Sequence, residues 1–146
     1  MTSIPQFRPM YDERAVAPMR QELTRLGLEE LRTPEEVDAK LTATDRTTLV
    51  VVNSVCGCAA RNARPAVAMA LQSDKKPDQL TTVFAGQDRD AVDRARGFFV
   101  GYQPSSPMIA LVKNGRVAFM LERWQIEGRT AEAIAADMID AFEKHC

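Results

Sequence analysis

The fold is decided by the stretch Val52-Asn53-Ser54-Val55-Cys56-Gly57-Cys58-Ala59-Ala60-Arg61. The residues that lead into it, 48–52, are almost wholly apolar and mostly β-branched, which predicts a buried central strand. The residues that follow, 59–71, are mostly of types that favour a helix. Two cysteines therefore stand where a buried strand turns into a helix. A helix N-terminus stabilises a thiolate, so we predict that this turn carries thiol chemistry.

Length and composition indicate an ordinary globular protein. The chain has 146 residues, of which 45% are hydrophobic and 27% charged, with a net charge of −1. We predict one domain over residues 1–146, with residues 1–27 forming an N-terminal helical extension. The charges are interspersed, and this pattern argues against nucleic acid as a partner. The apolar runs are too short to span a membrane, and residues 1–10 lack the apolar core of a secretory signal, so we expect a cytoplasmic protein.

The cysteine count fits that compartment. Structural disulfides are rare in the cytoplasm, so three cysteines, two of them separated by one glycine, predict a catalytic or metal-binding role.

Hydrophobic periodicity and turn residues predict alternating strands and helices after a first helix. The predicted strands are 28–32, 48–52, 80–85, 108–112 and 117–121, and the predicted helices are 11–26, 34–43, 59–72, 88–100 and the region after Gly128. Residues 1–10 are expected to be loose, and Pro18 is expected to delay the start of the first helix. Alternation of strands and helices implies parallel central strands, and Asn114-Gly115 predicts a closing antiparallel hairpin.

Several separated motifs resemble the bacilliredoxin family. They are the turn around Cys56-Gly57-Cys58, residues 62–66, Ser105-Ser106-Pro107 and 126–128. The resemblance implies a thioredoxin-like three-layer α/β fold, in which helices flank a central mixed sheet, here with an extra N-terminal helix. It also implies a cytoplasmic thiol-disulfide oxidoreductase that removes bacillithiol from mixed disulfides on client proteins. Bacillithiol would be a thiol co-substrate, and no cofactor is expected.

The two cysteines receive different roles. In the family pattern the first cysteine attacks, and it corresponds to Cys56, while Cys58 lies further into the helix and is predicted to resolve the mixed disulfide. A bridge across one residue closes a small ring, so we expect a strained, oxidising disulfide that favours the reduced pair. Gly57 would tolerate the backbone distortion of that ring.

Three further residues are predicted to bind the substrate. In the family fold a proline at the position of Pro107 is cis and faces the cysteines, and the backbone of Ser106 is then free to pair with a bound polypeptide. Arg61 follows Cys58 on the same helix face and would attract an anionic thiol.

The remaining candidates receive plainer interpretations. Arg64 is predicted to be a solvated helix residue, and Trp124 is predicted to pack in the core or at its rim. The last helix is expected to run away from the cysteines for about 17 residues, or roughly 25 Å, which places Cys146 far from Cys56.

Three alternative functions remain open. A general protein disulfide isomerase or reductase would use the same thiols. A zinc, copper or cluster site would need Cys56 and Cys58 to share a metal with His145 and Cys146 of another chain, and nothing in the sequence supplies a second nearby pair of ligands. A binding module without redox activity would need no thiolate at Cys56.

Overall fold

The computed structural model describes residues 7–146, which form a five-stranded mixed sheet with helices on both faces. The strands are β1 (Glu29–Glu30), β2 (Thr47–Asn53), β3 (Gln79–Phe84), β4 (Met108–Lys113) and β5 (Arg116–Leu121). The helices are α1 (Glu13–Thr24), α2 (Pro34–Leu41), α3 (Arg64–Ala70), α4 (Arg89–Arg96), α5 (Arg123–Ile126) and α6 (Ala131–His145), and a π-helical segment (Ala59–Ala63) runs directly into α3.

The sheet order is β1-β3-β2-β4-β5. Strand β2 lies at the centre, parallel to β3 and antiparallel to β4, and β5 closes the sheet antiparallel to β4. The prediction of a thioredoxin-like α/β fold with a central mixed sheet is confirmed.

Both faces of β2 are buried, because successive residues of a strand point to opposite faces. Leu49 and Val51 belong to a core that includes buried residues of α1, α3 and α6. Val50 and Val52 belong to a second core with residues of α2 and α4. The sheet is thus the middle of three layers, and its central strand ends directly at the cysteine turn.

Several predicted boundaries differ from the structure. Helix α1 begins at Glu13 despite Pro18, because the Asp12 side chain accepts a hydrogen bond from the Arg14 amide and caps it. Helix α4 ends at Arg96 rather than near residue 100, and tight turns carry the chain on from Gly97. The short helix α5 was not predicted at all.

The N-terminal segment is fixed more firmly than its sequence predicts. Residues 1–6 of the stretch expected to be loose lie outside the described residues. The following residues form no helix or strand, but the Phe7 amide donates to Asp90 at 3.1 Å and the Met10 amide donates to the Gly86 carbonyl at 2.8 Å. In the described part of the chain, no helix is both long and apolar enough to cross a membrane.

Candidate active site

The two cysteines of the central turn lie side by side. Strand β2 ends at Asn53, and the helical turns begin just after Cys56, whose carbonyl accepts hydrogen bonds from the amides of Ala59 and Ala60. The sulfur atoms of Cys56 and Cys58 are 2.6 Å apart, and both cysteines are free thiols. Cys56 is partly exposed, whereas Cys58 is only 9% exposed. A partner therefore reaches Cys56 more easily.

The surroundings of Cys56 favour its thiolate. Partial burial raises the pKa of this thiol, but hydrogen bonds to its sulfur outweigh that effect and the pKa is lowered. The Cys58 thiol and the Ser54 hydroxyl make two of these hydrogen bonds. The backbone amides of Ala59 and Cys58 make the others, as expected for a sulfur at the start of a helix.

The pKa of the Cys58 thiol is raised, in contrast to that of Cys56. Burial raises the pKa of the Cys58 thiol, and its hydrogen bond to Cys56 together with the charge of that neighbour raises it further. The charge of Arg123 opposes this shift without reversing it. Of the two thiols, Cys56 is therefore the one that ionises first, and its thiolate favours retention of the proton on Cys58.

A buried arginine, Arg64, holds the cysteine turn in place through hydrogen bonds. The Arg64 side chain is 3% exposed, not solvated as the sequence suggested. Its Nη1 donates to Asn53 Oδ1 at 3.0 Å and to the Ser54 carbonyl at 2.9 Å, and its Nε pairs with Glu22 at 3.0 Å. The Ser54 hydroxyl in turn accepts from the Cys56 amide at 3.2 Å. Arg64 therefore connects α1, the end of β2 and the cysteine turn.

The helix after the cysteines is irregular in the segment that precedes Pro65. Proline has no amide hydrogen, so it cannot donate to the preceding turn. The π-helical segment of residues 59–63 comes first, with the Arg64 amide bonded to the Ala59 carbonyl, and α3 takes over at the proline. π-Helical turns often mark functional sites, and this one directly follows the thiols.

The Ser106–Pro107 peptide bond is cis, which confirms that prediction. Met108, the next residue, pairs with Val52 in the sheet, so Pro107 lies at the end of the sheet where the cysteine turn begins. The Ser106 carbonyl already accepts a hydrogen bond from Arg123 Nη1 at 3.2 Å. Among the described residues, none accepts a hydrogen bond from the Ser106 amide. A contact between Pro107 and Cys56 stays a prediction.

Arg123 is a residue of the site that the sequence did not reveal. It begins α5, immediately after the end of β5, and its amide donates to the Ser105 hydroxyl at 3.3 Å. The negative charges of Cys58 and Cys56 raise the pKa of its guanidinium. No sequence motif connects Arg123 with the cysteines. The sequence shows only a basic residue shortly after the last predicted strand.

Arg61 lies over Gly57. A side-chain carbon added at Gly57 would stand 2.6 Å from Arg61 Nη2, so the glycine leaves room for the guanidinium. Position 57 therefore requires glycine for a second reason besides closure of the disulfide ring, namely the close approach of the Arg61 side chain. Arg61 is exposed and has no ion pair with any of residues 7–146.

Cys146 lies at the opposite end of β2 from the turn. Burial raises the pKa of its thiol, and Thr47, the first residue of β2, forms a hydrogen bond with it. The predicted separation from Cys56 is confirmed. Within residues 7–146 no group of three or more histidine, cysteine, aspartate or glutamate side chains is arranged to hold a metal.

Trp124 is not part of the core or its rim. Its side chain is 72% exposed on α5, and its Nε1 donates to Glu122 at 3.0 Å. The prediction of core or rim packing is wrong, because helix α5 turns this residue outward while Ile126 supplies the buried contact.

Comparison with known proteins gives one consistent result. Residues 11–146 match the profile of a family described as disulphide isomerase. A bacilliredoxin of Salinibacter ruber is 55% identical over 93% of this chain and 81% of its own length. Bacilliredoxins of Koribacter versatilis and Bacillus licheniformis are 50% and 53% identical, covering 94% and 93% of this chain and 94% and 95% of theirs.

Proposed function

The chain belongs to the disulphide isomerase family, as the bacilliredoxins similar to it indicate, and we propose that it removes bacillithiol from mixed disulfides on client proteins. Family membership makes it a thiol-disulfide oxidoreductase. The finer proposal rests mainly on the adjacent thiols at the start of the helix, where the pKa of Cys56 is lowered and that of Cys58 is raised. Such a pair is suited to accept a thiol cap and then release it.

The first step is attack by the Cys56 thiolate on the bacillithiol sulfur of the capped client. The bond between the bacillithiol and client sulfurs breaks, a Cys56–bacillithiol disulfide forms, and the client leaves as a thiolate that takes a proton from water. The partial exposure of Cys56 gives access for this attack. In this step Cys58 remains a thiol, because its pKa is raised, and does not attack the client disulfide in place of Cys56.

The second step follows from the loss of charge on Cys56. Once Cys56 is in a disulfide, its negative charge no longer raises the pKa of Cys58, and the charge of Arg123 then favours the Cys58 thiolate. Cys58 attacks the Cys56 sulfur, and bacillithiol leaves as a thiolate. The product is a Cys56–Cys58 disulfide, which an external thiol or dithiol reductant must return to the reduced pair.

The client polypeptide would lie along the loop that contains the cis-proline. In this proposal the free Ser106 amide donates to a client carbonyl, since Arg123 already occupies the Ser106 carbonyl. Pro107 would then hold the polypeptide at the end of the sheet where the cysteine turn begins.

The test is transfer of the cap, followed by mass spectrometry. The protein is incubated with a bacillithiol-capped client and, in a second arm, with a protein carrying scrambled disulfides. A free client thiol, together with a bacillithiol adduct on Cys56 when Cys58 is replaced by serine, supports the proposal. Reduction or reshuffling of the scrambled protein without any cap transfer would favour a general disulfide isomerase instead.

The hydrogen bond between the two thiols predicts a change in pH dependence. In Cys58→Ala the Cys56 sulfur loses a donor, so its pKa should rise and its alkylation by iodoacetamide should need a higher pH. Cys58→Ser keeps a hydroxyl donor and is the matched control, with a smaller shift expected. Alkylation of Cys56 is measured against pH in a Cys146→Ser background. Identical profiles for the alanine variant and the parent would contradict this account of the thiolate.

A further inference from the structure

An open cleft borders the thiol pair on the side of Cys58. It has a volume of about 590 Å³, within the range of small-molecule sites. The residues that line it come from the cysteine turn, the π-helical segment and the region from α5 to the start of α6, and they are Gly57, Cys58, Arg61, Asn62, Arg123, Glu127, Gly128, Arg129 and Thr130.

The charge of the cleft is unbalanced. Arg129 pairs with Asp137 at 2.7 Å, and Arg123 is 3.4 Å from Glu127, an exposed pair that screens it only in part. Arg61 has no counterion among residues 7–146. Three arginines therefore face one lining carboxylate, and two of the three have positive charge available to a ligand.

The two available arginines line the same cleft beside the thiols. Arg61 passes over Gly57, between the cysteines in sequence. Arg123 interacts with the charges of both sulfurs, while its amide donates to the Ser105 hydroxyl and its Nη1 donates to the Ser106 carbonyl. A ligand in this cleft whose sulfur reaches Cys56 or Cys58 thus brings its nearby anionic groups close to both guanidinium groups.

We propose that this cleft is the binding site for the low-molecular-weight thiol, and that Arg61 and Arg123 bind its carboxylate groups. The inference rests on the proposed function and adds to it the place and chemistry of cap recognition. It also separates the two halves of the substrate, because the client would follow the Ser106–Pro107 loop while the thiol occupies the cleft beside Cys58.

This arrangement determines which sulfur is attacked. A mixed disulfide presents two sulfurs to the Cys56 thiolate, and attack on either one releases the other as a thiolate. With the carboxylates held in the cleft, the sulfur of the small thiol lies next to the Cys56–Cys58 pair. The new bond then forms between Cys56 and the cap, and the client sulfur leaves with the electron pair.

The experiment compares three symmetrical small disulfides of opposite or no charge. They are 3,3′-dithiodipropionate (anionic), bis(2-hydroxyethyl) disulfide (neutral) and cystamine (cationic). The rate of adduct formation on Cys56 is measured by peptide mass spectrometry in the full chain carrying Cys58→Ser, where no neighbouring thiol expels the adduct. This protein is the parent of every variant in the experiment, and each rate is divided by that of free 2-mercaptoethanol with the same disulfide. The normalised ratio of anionic to neutral rates is the readout.

The parent protein should prefer the anionic disulfide over the neutral one, and the cationic one should react slowest. Arg61→Gln and Arg123→Gln should each lower the anionic-to-neutral ratio about three- to fivefold at low salt, as expected for one partly exposed ion pair. At about 1 M salt, where charges are screened beyond roughly 3 Å, the variants and the parent should converge.

Arg116→Gln is the matched control. Arg116 is an exposed arginine at the start of β5. In the sheet it lies opposite Lys113, and Lys113 lies opposite Thr47, so Arg116 is at the end of the sheet far from the cysteine turn. Its ratio should equal that of the parent. Circular dichroism checks that Arg123→Gln folds, because Arg123 also makes hydrogen bonds to Ser105 and Ser106. Arg61→Gln tests the cleft without disturbing those two contacts.

The outcomes separate this inference from the proposed function. Adducts on Cys56 without any preference for charge, or equal ratios in the parent and both arginine variants, would overturn the cleft assignment alone. If none of the three disulfides forms an adduct on Cys56 in Cys58→Ser, the proposed function fails and the inference fails with it.

Discussion

Replacement of Cys56 by serine is expected to abolish removal of the bacillithiol cap, with a loss of at least about 1,000-fold in rate. A serine hydroxyl is not ionised at neutral pH, so the position would lose the thiolate that its hydrogen bonds stabilise. Cys58 cannot substitute, because it is nearly buried and a capped client cannot easily reach its sulfur. The measurement is release of free client thiol from a capped client, followed with time.

The matched variant is Cys58→Ser. It should still accept bacillithiol on Cys56 and then hold it as a stable mixed disulfide, because no neighbouring thiol remains to expel it. Cys146→Ser is the control and should behave like the parent, since Cys146 lies beside Thr47 at the other end of β2. An adduct on Cys58 in Cys56→Ser, with none on Cys56 in Cys58→Ser, would reverse the two roles.

Local signals predicted most of the fold. The apolar run before Asn53 gave the buried central strand, and Asn114-Gly115 gave the hairpin between β4 and β5. Helix α2 begins at the predicted residue 34, where Thr33 and Glu36 make both reciprocal hydrogen bonds of a capping box. Each of these signals acts between residues close in sequence, and for that reason they can be detected without a structure.

The site was predicted less completely, because much of it depends on contacts between distant residues. Arg64 follows Cys56 on an apparently ordinary arginine-rich helix, and only the approach of α1 and the end of β2 makes it a buried brace. Arg123 reaches the thiols only because β5 ends at the same edge of the sheet as β2. The outward direction of Trp124 depends on helix α5, which has only four residues and too short a pattern to predict.

Replacement of Arg64 by methionine is expected to lower the free energy of unfolding by about 3 kcal/mol. The change keeps an apolar stem of similar length but leaves the Ser54 carbonyl and Asn53 Oδ1 with fewer donors in a buried place, and such losses cost about 1–3 kcal/mol each. The measurement is urea unfolding of the reduced protein. Because Ser54 also accepts from the Cys56 amide, the pH profile of Cys56 alkylation should shift to higher pH.

Glu22→Gln distinguishes the ion pair of Arg64 with α1 from its hydrogen bonds to Asn53 and Ser54. Glu22 is half-exposed, so removal of its charge tests the ion pair alone and should cost no more than about 1 kcal/mol. That variant should leave the alkylation profile of Cys56 unchanged, since Asn53 and Ser54 keep their bonds to Arg64. If Glu22→Gln loses as much stability as Arg64→Met, the arginine serves α1 rather than the cysteine turn. If only Arg64→Met shifts the Cys56 profile, the buried guanidinium is a positioning residue for the thiolate.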